Sequence, residues 1–176
     1  MKRKKKKRHN PVYDLGAAIG VGLLAGLAGT VAITLSQRIE MKITGRQPSN
    51  VPADAVAKTL DIAPTDESAK PQLSHKVHWA YGTWLGITRG LMSLAGLKGW
   101  PATLAHFTTV WGGSLIMLPA LDLAPPIQKQ KPKTILIEGL HHAVYAVAAG
   151  LTFDAITSRH SHRRGSLVRM IRRMIR

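Results

Sequence analysis

Residues 15–35 read LGAAIGVGLLAGLAGTVAITL and carry no charge. Crossing an apolar membrane core of roughly 30 Å takes about 20 helical residues at a rise near 1.5 Å each, so this one stretch is long enough to span. It is also rich in glycine. Gly22 and Gly26 form a GxxxG pair, which lets a second helix approach closely, and Gly29 with Thr30 continues that face. Steps of three and four carry the face on to Ile33, Ser36 and, beyond the apolar stretch, Glu40.

Three more stretches reach spanning length: 77–97, 102–121 and 134–156. The expectation is an all-α membrane protein of four transmembrane helices in an antiparallel bundle, forming a single integral membrane domain over 1–176 with basic tails at 1–14 and 157–176. Residues 15–35 follow a basic run, as a signal peptide would. Their apolar part is longer than a typical signal core and three further spans follow, so they read as an uncleaved first helix.

The charge is heavily one-sided, with 25 Lys and Arg against 9 Asp and Glu in 176 residues. The basic residues gather at the ends. Residues 1–8 (MKRKKKKR) cannot bury themselves, and 166–176 (SLVRMIRRMIR) place Leu167, Ile171 and Met174 on one helical face with Arg169, Arg172, Arg173 and Arg176 elsewhere. No nucleic-acid-binding fold accompanies these runs. The expected partner is therefore the lipid bilayer, with anionic lipid attracted to the tails at about 1 kcal/mol per basic residue, and not nucleic acid. The tails and the 98–101 turn hold 15 of the 25 basic residues. By the positive-inside rule both termini are expected in the cytoplasm. The first outer loop, 37–76, contains a short amphipathic helix from Pro52 to about Leu60, with proline in its first turn.

Polar residues inside the spans carry the functional clues. His75, His78, Trp79, Tyr81 and Trp84 open the second span as an aromatic cluster suited to the membrane boundary. Its face then runs through Gly82, Gly86, Arg89 and Ser93. Arg89 sits near mid-span, where a charge costs about 2.5–3.5 kcal/mol, so it is expected to face the interior or to snorkel. In the third span His106, Thr109 and Gly113 share a face. In the fourth, after the break at Pro125, Pro126 and Pro132, Glu138, His141, His142, Tyr145, Ala149 and Thr152 do. By helical rise Glu138 lies about 6 Å into its span, His142 about 12 Å and Arg89 about 18 Å, so Glu138 and Arg89 are a poor pair.

The expected topology brings Glu40, His75, His78, Glu138, His141 and His142 to the outer boundary. Histidine binds protons near pH 6.5 and is a common ligand of zinc and copper. One reading is thus a small transporter, channel or sensor that binds protons or divalent cations there; no other cofactor is expected, a divalent metal being the one candidate. A single Glu-x-x-His pair falls short of a dinuclear carboxylate site, which needs a second such pair and two further acids. The alternative is a membrane scaffold, a homo-oligomer or assembly partner docking through its glycine faces. An enzyme is not expected. Ser74, Ser93 and Ser114 lack a nucleophile setting, and phosphate-binding loops and dinucleotide fingerprints are absent. The chain has no cysteine, which excludes disulfides, a thiolate nucleophile and cysteine-based metal sites.

Three features resemble the YagU-like family of small bacterial inner-membrane proteins, a domain-of-unknown-function family. They are the glycine-rich first helix with GLLAGLAGT at 22–30 leading to an acidic residue, matched by Glu40; LPALDLAPP at 118–126; and a last helix that opens with glutamate and, four residues on, histidine, matched by Glu138 and His142. Gly45, Arg46, Gln47 and Pro48 stand where the family has Pro-Pro-Arg. The resemblance implies a multi-pass protein of the bacterial inner membrane and no established activity.

Overall fold

The computed structural model describes residues 10–60 and 66–174, with side chains through 158 except that of Glu67. Five helices make up the fold: α1 (Pro11–Thr44), α2 (Val51–Leu60), α3 (Lys70–Leu94), α4 (Gly99–Ala120) and α5 (Pro132–Met174). No strand occurs among the described residues. The basic run at 1–8 and the side chains of the amphipathic segment at 166–176 lie outside what is described.

α1 begins where Asn10 caps it, its side chain accepting from the Val12 amide at 3.2 Å, with Pro11 pre-set for the first turn. It ends at Gly45, whose φ of 72° is left-handed and whose N–H closes on the Met41 carbonyl at 2.9 Å. The helix therefore continues well past the apolar stretch, and its last two turns carry Glu40 on regular backbone. α3 likewise starts seven residues before 77, which puts His75 on the helix.

The α3–α4 turn is residues 95–98, with Gly96 at φ 90° and Gly99 at φ 58°. Trp100 and Pro101 already belong to α4. α5 is one helix of 43 residues. The amphipathic helix expected at 166–176 is not a separate element as far as Met174: α5 runs through it without interruption from the last apolar stretch.

α1 is the central element. It packs along α3 on one side and α5 on the other, while α4 rests mainly on α5 and α2 lies on α3. The α1–α3 contact is glycine against glycine. A Cβ on Gly86 would strike the Gly22 carbonyl and the Gly26 backbone, one on Gly26 would strike the Thr83 carbonyl, and one on Gly90 the Ala18 carbonyl. Gly82 meets the Thr30 side chain. Gly22 and Gly26 thus face Gly86 and Thr83 within this chain, the close approach that small residues permit. Gly29 does the same for α5, making room for the Tyr145 ring.

By length and composition, two helices among the described residues can cross a membrane, α1 and the 132–158 part of α5. α3 and α4 are long enough at 25 and 22 residues. α3 carries His75, Lys76, His78 and Arg89, and α4 carries His106, Thr103, Thr108, Thr109 and three glycines. Four stretches thus meet the length requirement and two meet the hydropathy requirement.

The distribution of residues is inverted relative to a water-soluble bundle. The largest fully buried side chains are Arg89, Tyr145, His106, His141 and Thr30, while Leu24, Leu27, Leu35, Ile39, Trp84, Leu104, Ile116 and Leu140 are exposed. The apolar part of the core is small, built from Ala25, Ile33, Val110, Tyr145, Ala146, Ala149 and Phe153.

Candidate functional site

The buried polar groups stand in three layers that follow from the antiparallel register of α1, α3 and α5. At the α1 C-terminal end, His141 of α5 is 1% exposed. Its Nδ1 and the Ser36 hydroxyl are hydrogen-bonded at 2.8 Å, and its Nε2 lies 4.0 Å from the Glu40 carboxylate. That Nε2 is buried without a hydrogen-bond partner. Ser36 and Glu40 are the two positions reached by carrying the first helix's glycine face forward, and both meet His141.

Glu40 is held by the loop that follows it. Arg46 donates to Oε2 from Nε at 2.9 Å and from Nη2 at 2.7 Å, and the Thr44 hydroxyl donates to Oε1 at 2.9 Å. The Arg46 guanidinium keeps the Glu40 carboxyl below its ordinary value, and Glu40 in return raises Arg46. A cavity of about 250 Å³ opens beside this group, with Ile39, Ile43, Ile137 and Leu140 as its apolar walls and Glu40 and His141 as its polar floor.

The remaining histidines and Glu138 surround this layer without joining it. His142 is half-buried, and its Nδ1 bonds the Glu138 carbonyl of its own helix at 2.7 Å. His78 Nε2 bonds the Thr34 hydroxyl at 3.1 Å, with His75 and His142 in electrostatic reach. His75 is exposed and packs edge-on to Trp79 with ring centroids 6.0 Å apart. Glu138 lies within electrostatic reach of Arg46 and His141. All six expected site residues therefore gather at one end of the bundle. Among the described residues, no three His, Asp or Glu side chains converge closely enough to hold a metal ion.

The middle layer is Tyr145 and His106. The Tyr145 hydroxyl donates to the Gly82 carbonyl at 2.6 Å, and its ring lies 5.6 Å from the His106 ring. His106 is fully buried; its Nε2 bonds the Leu85 carbonyl at 3.2 Å and its Nδ1 has no partner. The inner face of α4 is Ala102, Thr103, His106 and Val110. Thr109 and Gly113, expected beside His106, are exposed, because the helix is rotated to seat Thr103 against Gly150.

The third layer went unseen in the sequence. Arg89, 0% exposed, donates from Nη2 to Asp154 Oδ1 at 2.6 Å, and its guanidinium carbon sits 4.5 Å from the centroid of the Phe153 ring. Nε and Nη1 of Arg89 are buried without partners. Asp154 is 41% exposed, so the pair reaches the protein surface through its acid. Asp154 lies inside the 134–156 stretch and drew no reading of its own; the signal that could have found it is register, since α3 and α5 both run antiparallel to α1 and therefore parallel to each other, which brings Arg89 and Asp154 to the same level.

No family model, curated protein or solved structure matches the chain.

Proposed function

We propose that the chain is a four-span inner-membrane protein with both termini cytoplasmic, and that it passes protons along its interior, taking them up at the outward Glu40–His141 layer. The four-span reading is supported by the inversion of polarity. A bundle that buries Arg89, His106, His141 and Tyr145 while exposing leucine, isoleucine and tryptophan places its apolar surface where lipid would be. The YagU-like resemblance agrees with that address.

The observation that carries the proton reading is His141, a wholly buried imidazole with one nitrogen bonded to Ser36 and the other bare toward Glu40. An imidazole with an unpartnered nitrogen beside a carboxylate can accept and pass on a proton. Inward of it Tyr145, His106, Arg89 and Asp154 follow along α5 over about 20 Å of helical rise. Waters bridging these layers would complete the path. A proton suits the layer better than a divalent cation, because both Glu40 oxygens already accept hydrogen bonds from Arg46 and Thr44.

The test is proteoliposomes with an internal pH-sensitive dye, driven by an applied pH gradient. Wild type should acidify the lumen, and His141→Gln, which keeps a partner for Ser36 but cannot titrate, should slow it by about tenfold or more. Equal rates in the two proteins, or none in wild type, would sink the reading. Zinc binding measured on the same samples separates the cation alternative.

A scaffold reading has one observation of its own. Gly16, Gly20, Gly112 and Gly113 have nothing within 4 Å of the position a Cβ would take, so those faces could admit a helix from another chain. Cross-linking at Gly112 should then capture a dimer or a partner, and His141→Gln should leave it unchanged.

A further inference from the structure

We propose a second site, on the opposite side of α1 from His141, that binds a phosphate-type oxyanion. On α1, Thr34, Gln37, Arg38 and Met41 line a cavity of about 250 Å³, whereas Ser36, Ile39, Glu40 and Ile43 line the cleft at His141. At 100° per residue these two sets point away from each other.

The cavity is lined by basic side chains. Arg38 and Arg46 enter it from the α1 side and His75 and His78 from α3, and no carboxylate lines it. Arg46 gives Nε and Nη2 to Glu40 and retains Nη1. Arg38 is exposed and has no ion-pair partner among the described residues. Ser49 and Asn50, just before α2, and Ser74 of α3 add polar groups to the cavity wall. Two guanidiniums and two imidazoles on one concave surface are complementary to an oxyanion, because guanidinium pairs with phosphate oxygens through paired N–H donors.

Size and place narrow the ligand. The volume lies below the roughly 300–1,000 Å³ of drug-sized pockets, so the occupant is a small group. The site lies where α1 has passed its apolar stretch and α3 has not yet entered its own, the level of headgroups in the four-span reading. Free phosphate and the phosphodiester of an anionic lipid share the required chemistry.

Full-length protein in a neutral detergent would be titrated with inorganic phosphate by calorimetry. In parallel it would be exchanged into nanodiscs of phosphatidylcholine with or without phosphatidylglycerol, and retained lipid counted by native mass spectrometry. Arg38→Gln/His75→Gln should weaken binding by about tenfold or more, the loss of one or two charge-assisted hydrogen bonds. Arg38→Lys should keep most of it. Both variants leave the basic tail at 1–8 intact, so lipid held by the tail cancels in the comparison. Arg38→Gln alone touches an exposed, unpaired side chain and serves if the double variant does not fold.

Phosphate binding lost in the variants assigns the site to a free oxyanion; phosphatidylglycerol retention lost without phosphate binding assigns it to a headgroup. No binding of either, or binding equal in wild type and Arg38→Gln, overturns the proposal.

Discussion

The two ends of the bundle are each built on an arginine and a carboxylate, yet they are finished differently. At the α1 C-terminal end Glu40 and Arg46 are six residues apart, two donors close on one oxygen and a threonine occupies the other. At the far end Arg89 and Asp154 are 65 residues apart and share one hydrogen bond, leaving two buried guanidinium nitrogens bare. A local pair can be satisfied by a loop that folds back on its own helix. A pair made between helices is satisfied only as far as their packing allows. The first end is therefore a stable acceptor beside a histidine with one bare nitrogen, while the second is a buried charge whose counterion among the described residues is partly wet.

The sharpest way to break this comparison is to remove the acid at the far end. Asp154→Ala leaves a fully buried guanidinium with no counterion, and stability measured by thermal unfolding in detergent should fall by about 3–5 kcal/mol. Arg89→Met should cost much less, because Asp154 is partly exposed and can be solvated alone. The double variant Arg89→Met/Asp154→Ala should recover most of what Asp154→Ala loses, since replacing both charges removes the uncompensated one. If Asp154→Ala and Arg89→Met lose equally, the ends are not distinguished by burial.

The middle layer belongs to neither end and sets a scale between them. Tyr145→Phe removes one hydroxyl that donates to the Gly82 carbonyl and leaves the ring against Gly29 and His106. The expected loss is about 1 kcal/mol. A loss as large as that of Asp154→Ala would mean that the bonded carbonyl and the ring packing fail together.

Much of the fold was legible because it depends on period alone. The GxxxG face of the first helix could be extended by steps of three and four to Ser36 and Glu40, and these residues do meet His141. α2 was readable from Pro52 and its apolar pattern, and it is observed at Val51–Leu60. What could not be read required knowing how one helix is turned against another. His141 and His142 are neighbours about 100° apart on the helix; which is buried depends on the Ser36 face of α1, and it is His141. Arg89 was expected to face the interior or to snorkel; it is buried, and its partner is fixed by the parallel register of α3 and α5 and not by any local motif. Arg46 was read as loop, and its pairing with Glu40 follows from the left-handed Gly45, which turns the chain back onto the helix end. Ser74 had been weighed only as a nucleophile; it is used instead to accept the Ala53 amide at 3.1 Å and fasten α2 to α3.

The smallest effect belongs to the satisfied end and shows itself only in acid. Arg46 and Thr44 hold the Glu40 carboxyl below its ordinary value of 4.5, so the folded state binds this proton less readily than the unfolded chain does. A carboxyl whose folded pKa is depressed contributes stability that is complete above the unfolded value and is lost as pH falls through the folded one. The window therefore lies below about pH 4.5. Melting temperatures of wild type and Glu40→Gln should differ by a small, constant amount from pH 7 to pH 5 and converge as the pH drops further, because the wild-type acid then becomes neutral like the amide. The difference should also be smaller than that of Tyr145→Phe, since the Arg46 side chain freed by the change is itself partly exposed and can be solvated. A gap between the two proteins that persisted unchanged to pH 3 would mean that Glu40 acts through its shape and hydrogen bonds and not through its charge. In that case the outer layer would have no titrating acid to hand a proton to His141.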